Sequence, residues 1–360
     1  MKYASLPGLN LWIAMKAMLE YYGNEFVTMP ELNNEMMNWG TQHSAEYACL
    51  PYKVYYGFGY ELAKRGVDRV LVFGCRSERA CRYVDLCEGI AKAARDQGYP
   101  NFDVTYWGGY GLFKAILDFK RDMGNPAWLK LLRGGIIFGT VLTATDELND
   151  LANWARPREK ISGAADAWLK KWWPRFGEAR SRLEAKRLLA QAKSEFAKIE
   201  LEENRPIVPV AFIGDLFKIH EPFFHFDTIR KLNRLGLEVK QPQSFSLLFF
   251  GNLNLWSHAG HRKLFKYYQK RAKKYLKSIP ASYIDICIGE AIDLIEKGAK
   301  GIVHFQSFGC MPDIMLKPIL DRVARDYGVP IMHYLRDSHS SDGAYQTRLE
   351  AFADLVKKKN

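Results

Sequence analysis

Six cysteines stand in this 360-residue chain, and two of them share a local pattern. Cys49-Leu50-Pro51 and Cys310-Met311-Pro312 both read Cys-x-Pro, and each opens a stretch with helical character. Proline is tolerated in the first helical turn, where its missing N–H has no partner to lose. A thiol just ahead of that turn faces the positive end of the helix dipole, which favours the metal-binding thiolate. Cys75 ends the apolar run Val70-Leu71-Val72-Phe73-Gly74, Cys310 ends the run 301–309, and Cys81 follows Cys75 after one short loop. Open α/β sheets build their sites where strands give way to helices. Cys49, Cys75, Cys81 and Cys310 therefore point to one shared metal site. The irons of a cluster take thiolate ligands. Zinc accepts four thiolates too, although the close Cys-x-x-Cys knuckle of structural zinc sites is missing. Cys87 and Cys287 read as small buried hydrophobes. His43 could hydrogen-bond beside such a site and Lys53 could set a positive charge next to it; the alternatives are a structural histidine and a solvated lysine.

The elements that must position these residues alternate. Apolar residues recur at helical spacing over 8–23, and Glu25-Phe26-Val27-Thr28-Met29-Pro30 reads as a short strand. A helix from Pro51 to about Arg65, a strand over 69–73, a helix over 82–96 and a strand over 102–106 follow, with Gly66 and Gln97-Gly98-Tyr99-Pro100 as stop signals. From about 110 to 204 strand candidates thin out and helix formers dominate; Trp168, Trp172 and Trp173 there read as packing residues. Alternation resumes with the strand 207–215 and runs to a terminal helix over 347–358. The expectation is an α/β protein with two Rossmann-like (flavodoxin-like) parallel-sheet lobes, at 1–108 and 205–360, separated by a helical insertion over 109–204.

Composition narrows the class. Apolar residues make up 48% of the chain and aromatics 14%, as in a globular protein with ample buried area. No apolar run is long enough to span a bilayer, the longest candidate being 134–142, and the first residues lack the apolar core of a secretory signal. The expectation is a cytoplasmic protein with no membrane segment, whose cysteines are not a disulfide framework. The net charge is +12 and the isoelectric point about 9.2. Such a balance suits a solvated basic face, of which 261–277 is the densest part, or docking of an acidic protein, a nucleotide- or CoA-bearing ligand, or, less in keeping with the rest, nucleic acid. There is no phosphate-binding P-loop, no Gly-x-Gly-x-x-Gly after a strand and no nucleophile elbow. Gly57-Phe58-Gly59 sits inside a helical stretch, and His220, His225, His258 and His261 form no ligand pattern.

Several segments resemble one family. Thr41-Gln42-His43-Ser44-Ala45-Glu46-Tyr47-Ala48-Cys49-Leu50-Pro51-Tyr52-Lys53 resembles the N-terminal signature of proteins related to 2-hydroxyacyl-CoA dehydratases, including the acyl-CoA dehydratase activase-related (CoA protein activase) group. Phe308-Gly309-Cys310-Met311-Pro312-Asp313 is similar to that family's Phe-Gly-Cys-Met-Pro-Glu, Thr347-Arg348-Leu349-Glu350-Ala351-Phe352 to its C-terminal motif, and Cys81-Arg82 to the end of its Cys-Gly-Pro-Cys-Arg. The resemblance covers both α/β lobes and is weakest between them. It implies an iron–sulfur protein from anaerobic metabolism, holding a 4Fe–4S cluster or a double-cubane 8Fe–9S cluster on Cys49, Cys75, Cys81 and Cys310. It also implies a separate ATP-hydrolysing activator that feeds in low-potential electrons, and a dimeric assembly. The function expected is a low-potential electron acceptor or reductase component. The alternatives are a cluster-binding scaffold without catalysis, and a dehydratase-type subunit with an open iron position and a CoA ester or other small substrate. Two departures stand out. The Cys75–Cys81 spacing is longer than the family's, and the segment Arg336-Asp337-Ser338-His339-Ser340-Ser341-Asp342-Gly343 replaces its acidic pair and Thr-Gly turn.

Overall fold

Short runs rich in valine, isoleucine and phenylalanine become parallel strands, and the amphipathic segments between them become the crossover helices. The computed structural model describes residues 1–6, 8, 10–73, 83–107, 112–202, 204–241, 243–251, 259–278 and 283–358. The N-terminal part runs β1 (Lys2–Ser5), α1 (Leu11–Tyr22), β2 (Glu25–Phe26), α2 (Asn34–His43), α3 (Leu50–Lys64), β3 (Arg69–Phe73), α4 (Tyr83–Asp96) and β4 (Asp103–Trp107). Its strands pair in the order β2-β1-β3-β4, all parallel. After α5 (Leu112–Asp122), α6 (Trp128–Ala155), α7 (Ala164–Phe176) and α8 (Arg182–Phe196), the plan repeats. The elements are β5 (Val208–Gly214), α9 (Leu216–Ile219), α10 (Pro222–His225), α11 (Thr228–Arg234), β6 (Leu237–Lys240), α12 (Phe245–Gly251), α13 (Ala259–Ala272), α14 (Ile284–Glu296), β7 (Ile302–Ser307), α15 (Met311–Tyr327), β8 (Ile331–Arg336) and α16 (Asp342–Lys358). The second sheet has the order β6-β5-β7-β8, again all parallel. The chain is thus α/β, with two Rossmann-like lobes of the same strand order.

Burial follows from this topology. Every residue of β7 is buried, as expected of a parallel strand covered by helices on both faces. Strand β1 escaped sequence reading because Tyr3-Ala4-Ser5 is too short to show a period, yet it lies between β2 and β3. Gly57 explains itself as packing: a Cβ there would sit 1.9 Å from the Met36 carbonyl oxygen, so α3 can cross α2 closely only through glycine. Trp168 and Trp172 are buried in the core that joins α1, α6 and α7, with the Trp168 indole donating to the Ala192 carbonyl at 2.9 Å. No helix among the described residues is long and apolar enough to cross a membrane.

The lobes meet through α9 and α10. Phe224 belongs to the hydrophobic cluster of the N-terminal lobe, and Tyr55 of α3 meets it edge-on with ring centroids 5.6 Å apart. Tyr55 touches Phe217 in the same manner at 6.3 Å. Arg336, at the end of β8, is buried and donates to the carbonyls of Phe223 and Phe224, which fixes this connection from the C-terminal side. The carboxyl edges of β5 and β7 are thereby held against the start of α3.

Candidate metal centre at the lobe interface

Cys49 and Cys310 each occupy the position that caps a helix N-terminus, α3 and α15 respectively, with proline in the first turn of both. The two caps are neighbours across the lobe interface. The turn that delivers Cys310 is closed by its N–H donating to the Ser307 carbonyl at 3.1 Å. Gly309 in that turn has φ of +73°, a conformation L-residues avoid. A Cβ on Gly309 would lie 3.4 Å from the Cys49 Cα and 3.2 Å from the Tyr47 carbonyl oxygen. Glycine is needed here twice, for the backbone angle and for the close approach of the loop bearing Cys49.

The charge beside these thiols comes from the C-terminal lobe. Lys218 of α9 is fully buried, its Nζ 3.4 Å from Cys310 Sγ, and it forms an ion pair with Asp313. Asp313, in the first turn of α15, also accepts the Ser307 N–H at 2.9 Å, so one carboxylate ties the strand end, the helix start and the lysine together. Asp215 caps α9, accepting the Phe217 N–H at 3.2 Å. Burial alone would discharge Lys218, but Asp313, Cys310 and Asp215 outweigh it and hold its pKa well above the ordinary lysine value. Burial pushes the Asp215 carboxyl up.

The thiols behave differently from the expectation set by their helix-start positions. Burial raises Cys49 despite the opposing pull of the Tyr52 amide and Lys218. Burial, then Asp313, raises Cys310 well above its usual value, with Lys218 pulling the other way. The dipole contribution therefore loses to desolvation, and both groups are thiols at neutral pH unless a cation displaces their protons.

The remaining candidates divide. Cys75 and Cys81, between β3 and α4 in the chain, lie outside the described residues. His43 is exposed at the end of α2, stacked on Trp39 at 4.0 Å, with Nδ1 2.8 Å from the Trp39 carbonyl oxygen. Lys53 is buried on α3, but the ammonium in contact with a thiol is that of Lys218. Cys87 is buried among Leu86, Ile90 and Phe58, and burial pushes its thiol up to about 12. Cys287 is a core residue of α14 that accepts from Gln243 Nε2 at 3.0 Å. It borders a narrow slot of about 10 Å3, which Asp215 and Asp313 also line. Among the histidines, His220 is buried with Nε2 2.7 Å from the Gln243 carbonyl oxygen, and His225 accepts the Thr228 N–H at 2.9 Å. Among the described residues, no three His, Cys, Asp or Glu side chains are grouped as a metal site.

Sequence reading missed Lys218, Asp215 and the role of Asp313. The available signal was position: Gly214-Asp215-Leu216-Phe217-Lys218 leaves the carboxyl edge of a buried strand, where α/β sheets gather functional groups. No family model matches the chain, and no curated protein matches it either.

Proposed function

We propose that this chain is an iron–sulfur protein that accepts low-potential electrons from a separate ATP-hydrolysing activator, with Cys49 and Cys310 among the cluster ligands. The observation that carries the reading is the meeting of the two Cys-x-Pro helix starts across the lobe interface, through the contact between Gly309 and the Cys49 backbone. The donor set fits such a group. A half-buried thiol, Cys49, and a buried one, Cys310, meet at one interface, and each needs a cation to become a thiolate. The family resemblance supplies Cys75 and Cys81 as further ligands, a 4Fe–4S or double-cubane cluster, and the dimeric assembly.

A bound cluster would supply one-electron acceptance, which no side chain here can. The chain's own contributions are different. Tyr55, Phe217 and Phe224 wall the interface with aromatic rings. Lys218 sets one fixed positive charge at Cys310, balanced by Asp313. The surplus of basic residues gives a surface suited to an acidic activator.

Anaerobic reconstitution followed by iron and sulfide quantification tests the cluster. Cys49→Ala and Cys310→Ala are expected to lose most of the bound iron, and Cys87→Ala to keep it. Full iron content in both of the first two variants would overturn the ligand assignment. The electron-acceptor role is tested separately by EPR after adding the activator, ATP and a reductant. An unchanged spectrum of a loaded cluster would exclude that role; transfer of the cluster to an apo acceptor would then favour a scaffold, and saturable CoA-ester binding a dehydratase-type subunit.

A further inference from the structure

A second charged feature lies at the opposite edge of the C-terminal sheet. A solvent-open cleft of about 270 Å3 is lined by Arg156 at the end of α6, Lys160 in the α6–α7 connection, Arg205 ahead of β5, and Arg230 and Arg234 of α11. Arg205 and Arg234 precede the amino ends of β5 and β6, whereas Cys310 follows the carboxyl end of β7. A seven-residue strand such as β5 is roughly 20 Å long at about 3.3 Å per residue, so the cleft and the thiols are separate sites.

The cleft's cations outnumber its anions. Asp166 is held from two sides, by Arg156 Nη2 at 2.9 Å on one oxygen and by Arg230 Nε at 2.7 Å on the other. This clamp fixes both guanidinium planes; Arg230 also pairs with Asp227 through Nη1 at 3.0 Å, and Lys160 pairs with Glu200 at 3.6 Å. The other carboxylate in the lining, Glu159, is spent on backbone: it accepts the N–H groups of Gly163 and Ala165 at the start of α7. Among the described residues no carboxylate pairs with Arg205 or Arg234, and both are exposed.

We propose that this cleft binds a diphosphate-bearing anion. Guanidinium groups match phosphate oxygens in a bidentate fork, and pre-oriented ones lose little freedom on binding. The cleft gathers five cationic side chains from three segments of the chain and has room for more than a single phosphate. Because the wall is shared by the α6–α7 connection and α11, a bound diphosphate would brace the helical region against the C-terminal lobe. This site is independent of the thiols.

Isothermal titration of the full chain with inorganic pyrophosphate, at about 0.15 M salt to suppress loose surface binding, tests it. Saturable binding is expected, at least tenfold tighter than for citrate. The exposed pair Arg205→Gln/Arg234→Gln should weaken pyrophosphate at least tenfold and leave the ligand-free melting temperature unchanged. Lys266→Gln/Lys270→Gln on α13 should bind like the wild type. Absence of saturable binding, equal affinity for citrate, or equal loss in the α13 variant would overturn the proposal.

Discussion

The two sheets have one strand order, yet they bring their cysteines to the interface by different routes. In the N-terminal lobe Cys49 starts the helix that leads into the third strand in chain order, β3. In the C-terminal lobe Cys310 starts the helix that leaves the third strand, β7. The shared Cys-x-Pro pattern therefore encodes a local event, a capped helix start, and not an equivalent place in the fold. The lobes differ in charge as well. Among the described residues the N-terminal lobe brings Cys49 to the interface, whereas the C-terminal lobe surrounds Cys310 with Lys218, Asp313 and Asp215. Among those residues, the charged groups that both thiols feel come from the C-terminal lobe.

The largest test of that asymmetry removes the buried cation. Lys218→Met leaves the Asp313 carboxyl enclosed with no counter-charge, and losing one partner of a buried pair destabilises by about 3–5 kcal/mol. The corresponding change in the other lobe, Lys53→Met, should cost about 1 kcal/mol or less, because no buried carboxylate is left behind. Urea unfolding of the metal-free protein compares the two. The double variant Lys218→Met/Asp313→Leu should recover most of the loss. Equal effects of the two lysine substitutions would break the comparison.

What was legible in the sequence follows the range over which each signal acts. Strands β3 and β5 are largely apolar runs, and β7 opens on one before His304, Gln306 and Ser307; stop signals flank them, so composition and punctuation sufficed. The helix starts at Cys49 and Cys310 were legible from proline alone. Lys218 was not, because its role depends on Asp313, far along the chain, and on a strand pairing that only the folded sheet creates. The thiol pKa direction was misjudged for the same reason. A helix dipole is local and visible in sequence, whereas burial is tertiary, and here burial is the larger. His43 looked close to Cys49 in the chain, and its ring stacks on Trp39 one turn back.

The lobes should also respond differently to acid. Seven of the eight histidines lie in the C-terminal lobe, and burial pushes His225 down to about 3. Its folded pKa is below the unfolded value near 6.5, so the stability it confers is complete above pH 6.5 and drains away as pH falls toward 3. Nearby Glu221 has the opposite sign: burial raises it to about 7, so its contribution is complete below its unfolded value near 4.5 and is lost as pH rises through 7. Unfolding free energies at pH 7 and about pH 4.5 should separate them. Relative to the wild type, His225→Asn should remove about 2–3 kcal/mol of acid loss, and Glu221→Gln should remove a gain of similar size. An effect of the same sign from the two variants would contradict the assignment.

The smallest expected effect sharpens the comparison most, because it separates a backbone angle from a lobe contact. Gly23 and Gly309 both have left-handed backbone, with φ of +93° and +73°. An added Cβ at Gly23 would meet open space, whereas at Gly309 it would press on the Tyr47 carbonyl and the Cys49 Cα. Alanine at either position should cost about 1–2 kcal/mol for the angle. Only Gly309→Ala should also loosen the seam between the lobes, and mass-spectrometric alkylation of the metal-free protein would read that as faster labelling of Cys49 and Cys310. If Gly23→Ala speeds their labelling as much, the thiols respond to global stability, and the contact between the two helix starts is not what protects them.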